Sequence, residues 1–573
     1  MASVVFAMTI GITALAGARG GSGHDIVNAA RVETFTAAVA ADDMLATEGF
    51  FTELPLVTLV CRNFLPLCQG NNSANPYMAA IMLDAGAPRT LPAVLTQAHL
   101  QFKLRADEAV VLIGKTPPPL NYFSYTPFIY SRYFKEEGIT RKMFVSVIDP
   151  LNQGVLNLLG RKDDPYDQPV VIIFTADKRI AHRVERALLF AGFPHAIINL
   201  AALPSALAVF STPTDVAHGD SFVIAERMGT PLPGTDLAPY LNNRGENLHT
   251  RIFRITPKDY DERLLQPLAV PPVRPRGTGY TELELAREQR QMRDTLLRTY
   301  AAKGYTGIDL NPSVWLEESY GAIQQGLDTL GESADTPYLK SEDFGLAGDD
   351  FVVAYGANHA ATGKATYSNA NLYEKCAECG LYSAGNAEMK GSAAAWLPAN
   401  NRNASKMYVH MFSRACNDLP TCTTVTADTC PSMDTGMYVG FRAYYEPDTL
   451  VGPAHRELLW DRAILFTRTP VVISNVTQVP AASSTIAPGS TADIGFNVSG
   501  PASSQLKWTA TLTRNARCGS VDPKEGWVSS GARVSFTFHS CKGPDEAEIL
   551  IGAVDEAGRP AQSRGVVVTV GAP

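Results

Sequence analysis

The sequence predicts a multidomain chain of class α/β plus β. An N-terminal α/β layer with a βαβ unit is followed by a helical linker, an antiparallel β-rich region and a C-terminal immunoglobulin-like β-sandwich. The length of 573 residues exceeds what one hydrophobic core serves. A strand–helix–strand pattern at residues 169–200 and short alternating strands after residue 350 provide the two fold classes.

The α/β domain is assigned to residues 25–266. Residues 108–114 (EAVVLIG) and 169–174 (PVVIIF) are apolar enough for strands buried on both faces. Asp177 then precedes an amphipathic helix that ends at Gly192, and residues 195–200 (HAIINL) form the next strand. Two strands joined by a helix in this way are expected to be parallel.

Residues 267–335 are predicted to be a linker with two bridging helices. The linker begins with the Pro/Arg-rich stretch PLAVPPVRPRG. Thr281 and Glu284 have the spacing of a capping box, which predicts a helix over 281–303. Asn311 followed by proline predicts a second helix that continues to about Leu330. These helices are expected to connect two sheets.

Residues 336–477 are interpreted as a β-rich region that packs on the α/β domain. In KMYVHMFSRAC, Met407, Val409 and Met411 alternate with their neighbours as in a strand. A Pro/Ala/Ser-rich stretch at 478–490 then opens residues 478–573, which are predicted to be an immunoglobulin-like accessory domain. This domain carries no ionisable cluster, so contact with a cell surface or matrix is its expected role. No internal repeat is evident along the sequence.

Composition and the N-terminus indicate an extracytoplasmic protein, secreted or periplasmic. The net charge is −8 and no run of Lys or Arg occurs, so no nucleic-acid partner is expected. Residues 1–24 resemble a signal peptide with a Gly-rich start, although no basic residue precedes the apolar run. The alternative is a buried N-terminal helix or strand. No later window is apolar enough to predict a membrane span.

The nine cysteines are interpreted as a disulfide framework, with one thiol left over. Close pairs along the sequence suggest local bridges, and a CAEC motif leaves zinc or redox chemistry as alternatives. No metal or other cofactor is expected. The cysteines assigned to disulfides are Cys61, Cys68, Cys376, Cys379, Cys416, Cys422, Cys518 and Cys541.

Residues 120–134 (LNYFSYTPFIYSRYF) contain seven aromatic residues in a chain that is 9% aromatic. Thr126 and Pro127 suit a helix start and Gly138 a helix end, which predicts a helix whose aromatic face is core. Tyr122 and Tyr125 precede that helix, where α/β proteins place ligand sites. They are expected to form a pocket wall, and the alternative is a packed loop anchor.

Three residues are candidates for acid–base catalysis. Asp177 and Asp149 each follow an apolar strand, where a buried carboxylate has a tunable pKa. His359 follows the strand DDFVVAYG, and histidine is the best proton-transfer group near neutral pH. The alternatives are a helix-capping Asp177, a turn at Asp149 and a structural histidine. The candidates for substrate binding, beside Tyr122 and Tyr125, are Arg132, Asn152, Asn358, His410 and Arg414.

Two functions remain open. The first is a secreted enzyme that acts by acid–base hydrolysis or elimination on a small, partly apolar organic substrate in an aromatic-lined interdomain cleft. The sequence has no G-x-S-x-G or H-E-x-x-H motif, so a serine nucleophile and a zincin site are unsupported. The second is a secreted or surface-associated binding or adhesion protein without catalytic activity.

Overall fold

The computed structural model describes residues 28–87, 97–160, 164–245, 248–316, 319–426, 428–482, 484–501, 504–514, 519–540 and 545–571. The predicted signal peptide, residues 1–24, therefore lies outside the described residues. The protein is mostly β-sheet, with 39% of residues in strands and 17% in helices. The described strands form several sheets, two in each of three consecutive parts of the chain.

The first part, residues 44–257, is called the first unit. Its sheets have the strand orders β1-β12-β5-β9-β10 and β2-β3-β11-β6-β7, and the short strands β4 and β8 join the second sheet. The strands are β1 (Met44–Glu48), β2 (Phe50–Glu53), β3 (Tyr77–Ile81), β4 (Phe102–Lys103), β5 (Ala109–Lys115), β6 (Phe123–Phe134), β7 (Ile139–Ser146), β8 (Leu151–Asn152), β9 (Pro169–Thr175), β10 (Ile198–Ala202), β11 (Ser221–Met228) and β12 (Arg251–Pro257).

The first sheet of this unit is buried on both faces because different layers cover it. Val110 and Leu112 point into a core shared with the second sheet, whereas Val111 and Ile113 pack beneath helices. Strands covered on both sides need apolar residues at every position, which explains the unbroken runs at 109–113 and 170–174. The helices of the first unit and its N-terminal flank are α1 (Ala29–Ala41), α2 (Leu56–Cys61), α3 (Gln97–Leu100), α4 (Lys178–Phe190) and α5 (Ala238–Leu241).

The βαβ prediction is confirmed at β9-α4-β10, where the two strands are parallel neighbours. The expectation of an α/β layer is wrong beyond that crossover. Strand β5 pairs antiparallel with both β9 and β12, and β1 pairs antiparallel with β12. A fully buried antiparallel strand has the same apolar run as a parallel one, so composition does not separate the two.

The predicted helix in the aromatic stretch is also wrong, since residues 123–134 are the long strand β6. Alternate residues of β6 point to opposite faces, and both faces are covered in its first half. Large aromatic side chains at consecutive positions therefore satisfy a strand as well as a helix here. Pro127 lies within this strand and does not begin a helix.

The second part, residues 306–467, is called the second unit and repeats the topology of the first. Its sheets have the orders β13-β22-β16-β19-β20 and β14-β15-β21-β17-β18, which match the first unit strand for strand, including one parallel edge pair. The strands are β13 (Thr306–Leu310), β14 (Ser313–Val314), β15 (Tyr338–Lys340), β16 (Phe351–Ala357), β17 (Tyr367–Glu374), β18 (Cys379–Ala384), β19 (Met407–Ser413), β20 (Cys422–Thr424), β21 (Met437–Tyr444) and β22 (Arg462–Thr467).

The chain is thus a tandem structural duplication, contrary to the expectation of no internal repeat. A helix also precedes each unit, α1 before β1 and α6 before β13. The helices from the linker onward are α6 (Ala286–Ala301), α7 (Ser319–Gln325), α8 (His359–Thr362) and α9 (Asn386–Met389). The predicted second bridging helix is wrong for most of its length, because Ser313–Val314 is a strand and the helix covers only Ser319–Gln325.

The last part forms two four-stranded antiparallel sheets with the orders β23-β24-β28-β26 and β27-β25-β29-β30. The inward residues Leu506, Trp508 and Ala510 alternate along one strand and join a separate hydrophobic core. The strands are β23 (Val472–Val479), β24 (Thr491–Ser499), β25 (Gln505–Arg514), β26 (Ser520–Asp522), β27 (Glu525–Ser529), β28 (Arg533–His539), β29 (Asp545–Asp555) and β30 (Arg564–Val570). Among the described helices, none has the length and apolarity that a membrane span requires.

Candidate functional site

Two disulfides join the first unit to the second. Cys61 bonds to Cys430 and Cys68 bonds to Cys379, across 369 and 311 residues of chain. The local pairing suggested by sequence spacing is therefore wrong for these cysteines, whereas Cys416–Cys422 is a local bridge within the described part of the chain. The fold brings distant loops together, and spacing along the chain carries no information on that.

The other cysteines predicted to form disulfides are Cys376, Cys518 and Cys541. Cys376 was assigned to a disulfide, but it is an exposed free thiol. Cys518 and Cys541 lie outside the described residues.

A cavity of about 70 Å³ lies between the two units, and we call it the Arg–Tyr cavity. One wall is the outer face of the sheet that contains β11, and the opposite wall comes from the corresponding sheet of the second unit. Its polar lining consists of two arginines with neighbouring tyrosines and amides. The lining residues used below are Gln69, Gly70, Tyr77, Thr126, Phe128, Tyr130, Arg227, Tyr338 and Arg442.

Arg227 is half-buried and reaches from β11 across to the second unit. Its Nη2 donates to the carbonyl of Gly331 at 2.8 Å and its Nη1 lies 3.4 Å from the hydroxyl of Tyr338. The guanidinium also lies 5.9 Å from the ring centre of Tyr77, on the neighbouring strand of its own sheet. Its Nε is buried without a hydrogen-bond acceptor.

Arg442 is 4% exposed and projects from β21. Its Nη1 donates to the hydroxyl of Tyr444 at 3.2 Å, and its Nη2 donates to the carbonyl of Gly70. The rings of Tyr338, Trp315 and Tyr373 surround it at 5.0, 5.6 and 5.8 Å. Its Nε, like that of Arg227, is buried without an acceptor.

The two arginines occupy equivalent places in the two units. Arg227 pairs with Tyr77 on one side and Ser124 on the other. Arg442 pairs in the same way with Tyr338 and Asn369. Each tyrosine follows a proline, in PYMA at 76–79 and PYLK at 337–340. The cavity therefore lies between matching Arg–Tyr pairs, one from each copy of the fold.

Neither guanidinium has a carboxylate within ion-pairing distance in the described part of the chain, although the half-buried Arg132 and Arg254 do. Burying a charge without a counter-ion costs several kcal/mol. The two guanidiniums also change the pKa of a neighbouring tyrosine. Burial raises the pKa of Tyr444, but the charges of Arg442 and Arg227 outweigh burial and lower it. The side-chain amide of Gln69, 7% exposed, leaves both polar atoms without partners beside the cavity.

The aromatic stretch contributes to the cavity, but through other residues than those predicted. Thr126, Phe128 and Tyr130 line it. Tyr122 and Tyr125 are fully buried and do not reach it. The Tyr122 hydroxyl donates to Asp335 at 2.7 Å, and that of Tyr125 lies 3.5 Å from the hydroxyl of Tyr240. The residues that face the cavity are therefore those predicted to lie on a helix, not the two tyrosines before it.

His359 lies in a buried ion cluster, the His359 triad, with Glu282 and Asp461. Its Nδ1 is 2.8 Å from a Glu282 carboxylate oxygen and its Nε2 is 3.1 Å from Asp461. Burial alone lowers the pKa of an imidazole, but the two carboxylates outweigh it and raise the pKa of His359 to about 10. A histidine charged throughout the neutral range and 2% exposed holds its proton rather than exchanging it with a ligand.

Asp177 is the N-cap of α4, where its Oδ1 accepts from the backbone N–H of Ile180 at 2.9 Å. Its second oxygen accepts from the backbone of Gln266. Both carboxylate oxygens thus accept hydrogen bonds from backbone N–H groups, and the side chain is 1% exposed. Asp177 and His359 lie on different elements, and neither lines the Arg–Tyr cavity.

Asp149 lines a second cleft of about 300 Å³ together with Arg274, and Asn152 lies nearby in contact with Asp335, which is 3.6 Å from the same arginine. Asp149 accepts from the backbone N–H of Arg274 at 2.6 Å, and Asn152 donates to both oxygens of Asp335 at 2.9 Å. Burial raises the pKa of Asp335 to about 6 despite the opposing charge of Arg274. Tyr122 shares this cluster through Asp335, so the structure brings three of the predicted residues together here.

The other predicted substrate-binding residues have structural partners. Arg132 forms a bidentate ion pair with Asp220, at 2.9 and 2.7 Å. Asn358 caps α8 by accepting from the backbone of Ala361.

His410 and Arg414 likewise contact neighbouring strands and loops of the second unit. The His410 imidazole lies 2.8 Å from the hydroxyl of Thr423, and burial lowers its pKa to about 4. Arg414 pairs with Asp434 at 2.9 Å. Neither lines either of the two cavities described above.

Sequence reasoning missed Arg227 and Arg442. The signal was present in the repeated Pro-Tyr dipeptide and in the arginine near the end of two similar strands, FVIAER and YVGFR. These matches are too short to be recognised without the strand register. For metal binding, no group of three or more His, Cys, Asp or Glu side chains among the described residues is arranged so that it could hold a metal ion.

No protein-family model and no curated protein matches the chain. Among solved structures, SSP-19 of Caenorhabditis elegans, an MSP-domain protein like family member, is 12% identical over 17% of this chain and 99% of its own, with a TM-score of 0.14. Fibronectin(III)-like modules of Clostridium thermocellum CbhA are 10% identical over 41% of this chain and 86% of theirs, also with a TM-score of 0.14. Likeness at this level assigns no function to the chain.

Proposed function

We propose that this chain is an extracytoplasmic binding protein for a small, partly apolar organic anion, held in the Arg–Tyr cavity between its two units. The observation that carries the proposal is the pair of guanidiniums, the half-buried Arg227 and the buried Arg442, which lie at equivalent positions without carboxylate partners in the described residues. A bound oxyanion would supply the missing counter-charge.

The size and lining of the cavity favour a short aliphatic carboxylate. A cavity of about 150 Å³ accommodates benzene, so a volume of about 70 Å³ suits a carboxylate head with two or three carbons. Most of the remaining lining is leucine and phenylalanine side chains, which contact an apolar tail. The unpartnered amide of Gln69 is placed to hydrogen-bond the same head group.

Binding is favoured over catalysis because the expected acid–base residues are not assembled around this cavity. His359 and Asp177 are engaged elsewhere, and only Asp149 borders an open cleft. A catalytic role by acid–base chemistry stays a second proposal, supported by Asp149 and by the carboxyl of Asp335 with its pKa of about 6. The C-terminal sandwich is proposed to be immunoglobulin-like and to contact a cell surface or matrix.

An extracytoplasmic location is part of the proposal. The described residues contain three disulfides, two of which connect separate units, and such bridges persist in oxidising compartments. The signal-peptide interpretation of residues 1–24 belongs to the same proposal.

The test is calorimetric titration of the wild-type protein with sodium propionate, with propionamide as the uncharged isostere. Propionate is expected to bind and propionamide is not. Arg227→Gln and Arg442→Gln each remove one charged donor and are expected to weaken propionate binding by about tenfold or more. The matched control is Arg132→Gln, an arginine of the neighbouring strand that already has a carboxylate partner.

Stability without ligand adds a second readout. Replacing an unpaired buried cation by a neutral amide is expected to raise the free energy of unfolding, by about 1–3 kcal/mol for Arg442→Gln. Arg132→Gln is expected to lower it, because Asp220 is left buried and unpaired. Absence of propionate binding by the wild-type protein, or unchanged propionate affinity of Arg442→Gln, would contradict the proposal.

A further inference from the structure

The disulfide Cys68–Cys379 fixes one wall of the Arg–Tyr cavity, and a free thiol lies three residues away from it in the chain. Cys68 is followed directly by Gln69 and Gly70, which line the cavity. Cys379 is fully buried at the start of β18, whereas Cys376 is exposed in the turn before that strand.

The same turn holds the cavity wall through hydrogen bonds. The backbone N–H of Cys68 donates to the carbonyl of Ala377 at 2.8 Å, and that of Gly70 donates to Glu378 at 3.0 Å. Gly70 in turn presents its carbonyl to Arg442. Gly70 has φ +60, and an added Cβ would lie 3.0 Å from the Trp315 ring, so a residue with a side chain is disfavoured in this wall.

The turn is short enough for Cys376 to approach Cys379. Glu374 pairs with Cys379 across the β17–β18 hairpin, which leaves a loop of residues 375–378. In a reverse turn, Cα atoms three residues apart lie within about 7 Å, and bridged cysteines have Cα atoms about 4.4–6.8 Å apart. A Cys376–Cys379 bridge is therefore compatible with a modest change of this loop.

We propose that Cys376 opens the cavity wall by thiol–disulfide exchange. The Cys376 thiolate attacks the sulfur of Cys379, the Cys68–Cys379 bond breaks and a Cys376–Cys379 bond forms. Cys68 leaves as a thiolate and takes up the proton that Cys376 lost. One disulfide is exchanged for another, so the step needs no oxidant or reductant.

The effect on the ligand rests on the proposed function. The new bridge closes the turn on itself, which displaces the carbonyls of Ala377 and Glu378 that anchor Cys68 and Gly70. Gln69 and the Gly70 carbonyl then lose their fixed positions beside the guanidiniums. The closed form, with Cys68–Cys379 intact, binds the anion, and the exchanged form binds it about tenfold more weakly.

The exchange is tested by mapping the disulfides of the wild-type protein, which needs no ligand. The protein is held at neutral and at mildly alkaline pH, quenched in acid, labelled with N-ethylmaleimide and digested with pepsin. A labelled Cys68 together with a Cys376–Cys379 peptide is expected, in greater amount at the higher pH. In Cys376→Ser no label on Cys68 is expected. Cys68 found only in a bridge, to Cys379 or to Cys376, would overturn the proposal.

The effect on binding is tested with two variants that each permit one bridge. Cys376→Ser keeps Cys68–Cys379, and Cys68→Ser leaves Cys376–Cys379 as the available pair. Propionate is expected to bind the first like the wild type and the second about tenfold more weakly, and equal affinity would overturn the opening of the wall. Failure of the proposed function is read separately, as absence of propionate binding by the wild-type protein.

Discussion

The His359 triad is expected to stabilise the fold strongly without taking part in ligand chemistry. Its imidazolium lies between Glu282 and Asp461, all three are at most 4% exposed, and the carboxylates have further donors. Thr362 and the backbone of Leu459 donate to Glu282, and Tyr408 donates to Asp461 at 2.8 Å. The perturbation of choice is His359→Gln, which keeps a polar side chain of similar size and removes the positive charge.

The expected magnitude follows from what remains. Without the imidazolium, two buried carboxylates face each other unpaired, and breaking a buried ion pair costs about 3–5 kcal/mol. The pKa of His359 gives a similar figure: a rise from 6.5 to about 10 corresponds to about 5 kcal/mol at about 1.4 kcal/mol per pH unit. Because the folded-state pKa is raised, this stability is fully present below pH 6.5 and is lost as pH rises through about 10.

The assay is urea unfolding of wild type and His359→Gln at pH 6, 8 and 10, followed by tryptophan fluorescence. The difference in free energy of unfolding is expected to be largest at pH 6 and to shrink toward pH 10. His195→Gln, a change at an exposed histidine near Glu185, is the matched control and is expected to have little effect. Equal stability of wild type and His359→Gln at pH 6, or a difference that does not change with pH, would refute the reasoning.

Three further predictions concern buried groups. Burial raises the pKa of Glu226 to about 8, so the stabilising effect of its neutral carboxyl is present below pH 4.5 and is lost as pH rises through 8. Glu226→Gln should therefore be about 3–5 kcal/mol more stable than wild type at pH 9 and similar to it at pH 4.5. Urea unfolding at both pH values measures the difference. Asp177→Ala should lose about 2–3 kcal/mol by the same method, because the N–H groups of Ile180 and Gln266 lose their acceptors; an unchanged midpoint would contradict the capping role. The double change Cys61→Ser/Cys430→Ser should lower the free energy of unfolding by about 4 kcal/mol. The Cys68–Cys379 bridge spans 311 of the 369 residues between Cys61 and Cys430, so the removed bridge closes an effective loop of only 58 residues. Thermal unfolding measures the loss, and wild type under reducing conditions should lose at least as much stability.

The sequence predicted those elements whose pattern is set by local burial. The helix α4 has one apolar face, a capping aspartate and a glycine after its end, so its limits followed from local chemistry. The C-terminal strands alternate because one face of each is core and the other is solvent. In both cases the side chains along a few residues contain the whole signal.

Elements buried on both faces could not be predicted in the same way. In β6, aromatic residues fill both sides of the strand, so the period of two that marks a strand is absent. Pairing direction in β5 and β9 depends on partners more than fifty residues away. The cavity depends on residues that are still farther apart in the chain. Arg227 and Arg442 line one cavity only because the two sheets that carry them face each other in the fold. A single arginine near a strand end is otherwise indistinguishable from one in an ordinary ion pair, such as Arg132.

The tandem duplication has a consequence for the symmetry of the Arg–Tyr cavity. When two identical subunits associate about a twofold axis, any residue at their contact is met by its own copy. In a single chain that contains both halves, matching positions can carry different residues, although here both halves carry the arginine. The first unit has Ser124 and Thr126 at the strand positions where the second unit has Asn369 and Asn371. The two units therefore face each other with matching arginines but unlike neighbouring residues, so the cavity between them is asymmetric.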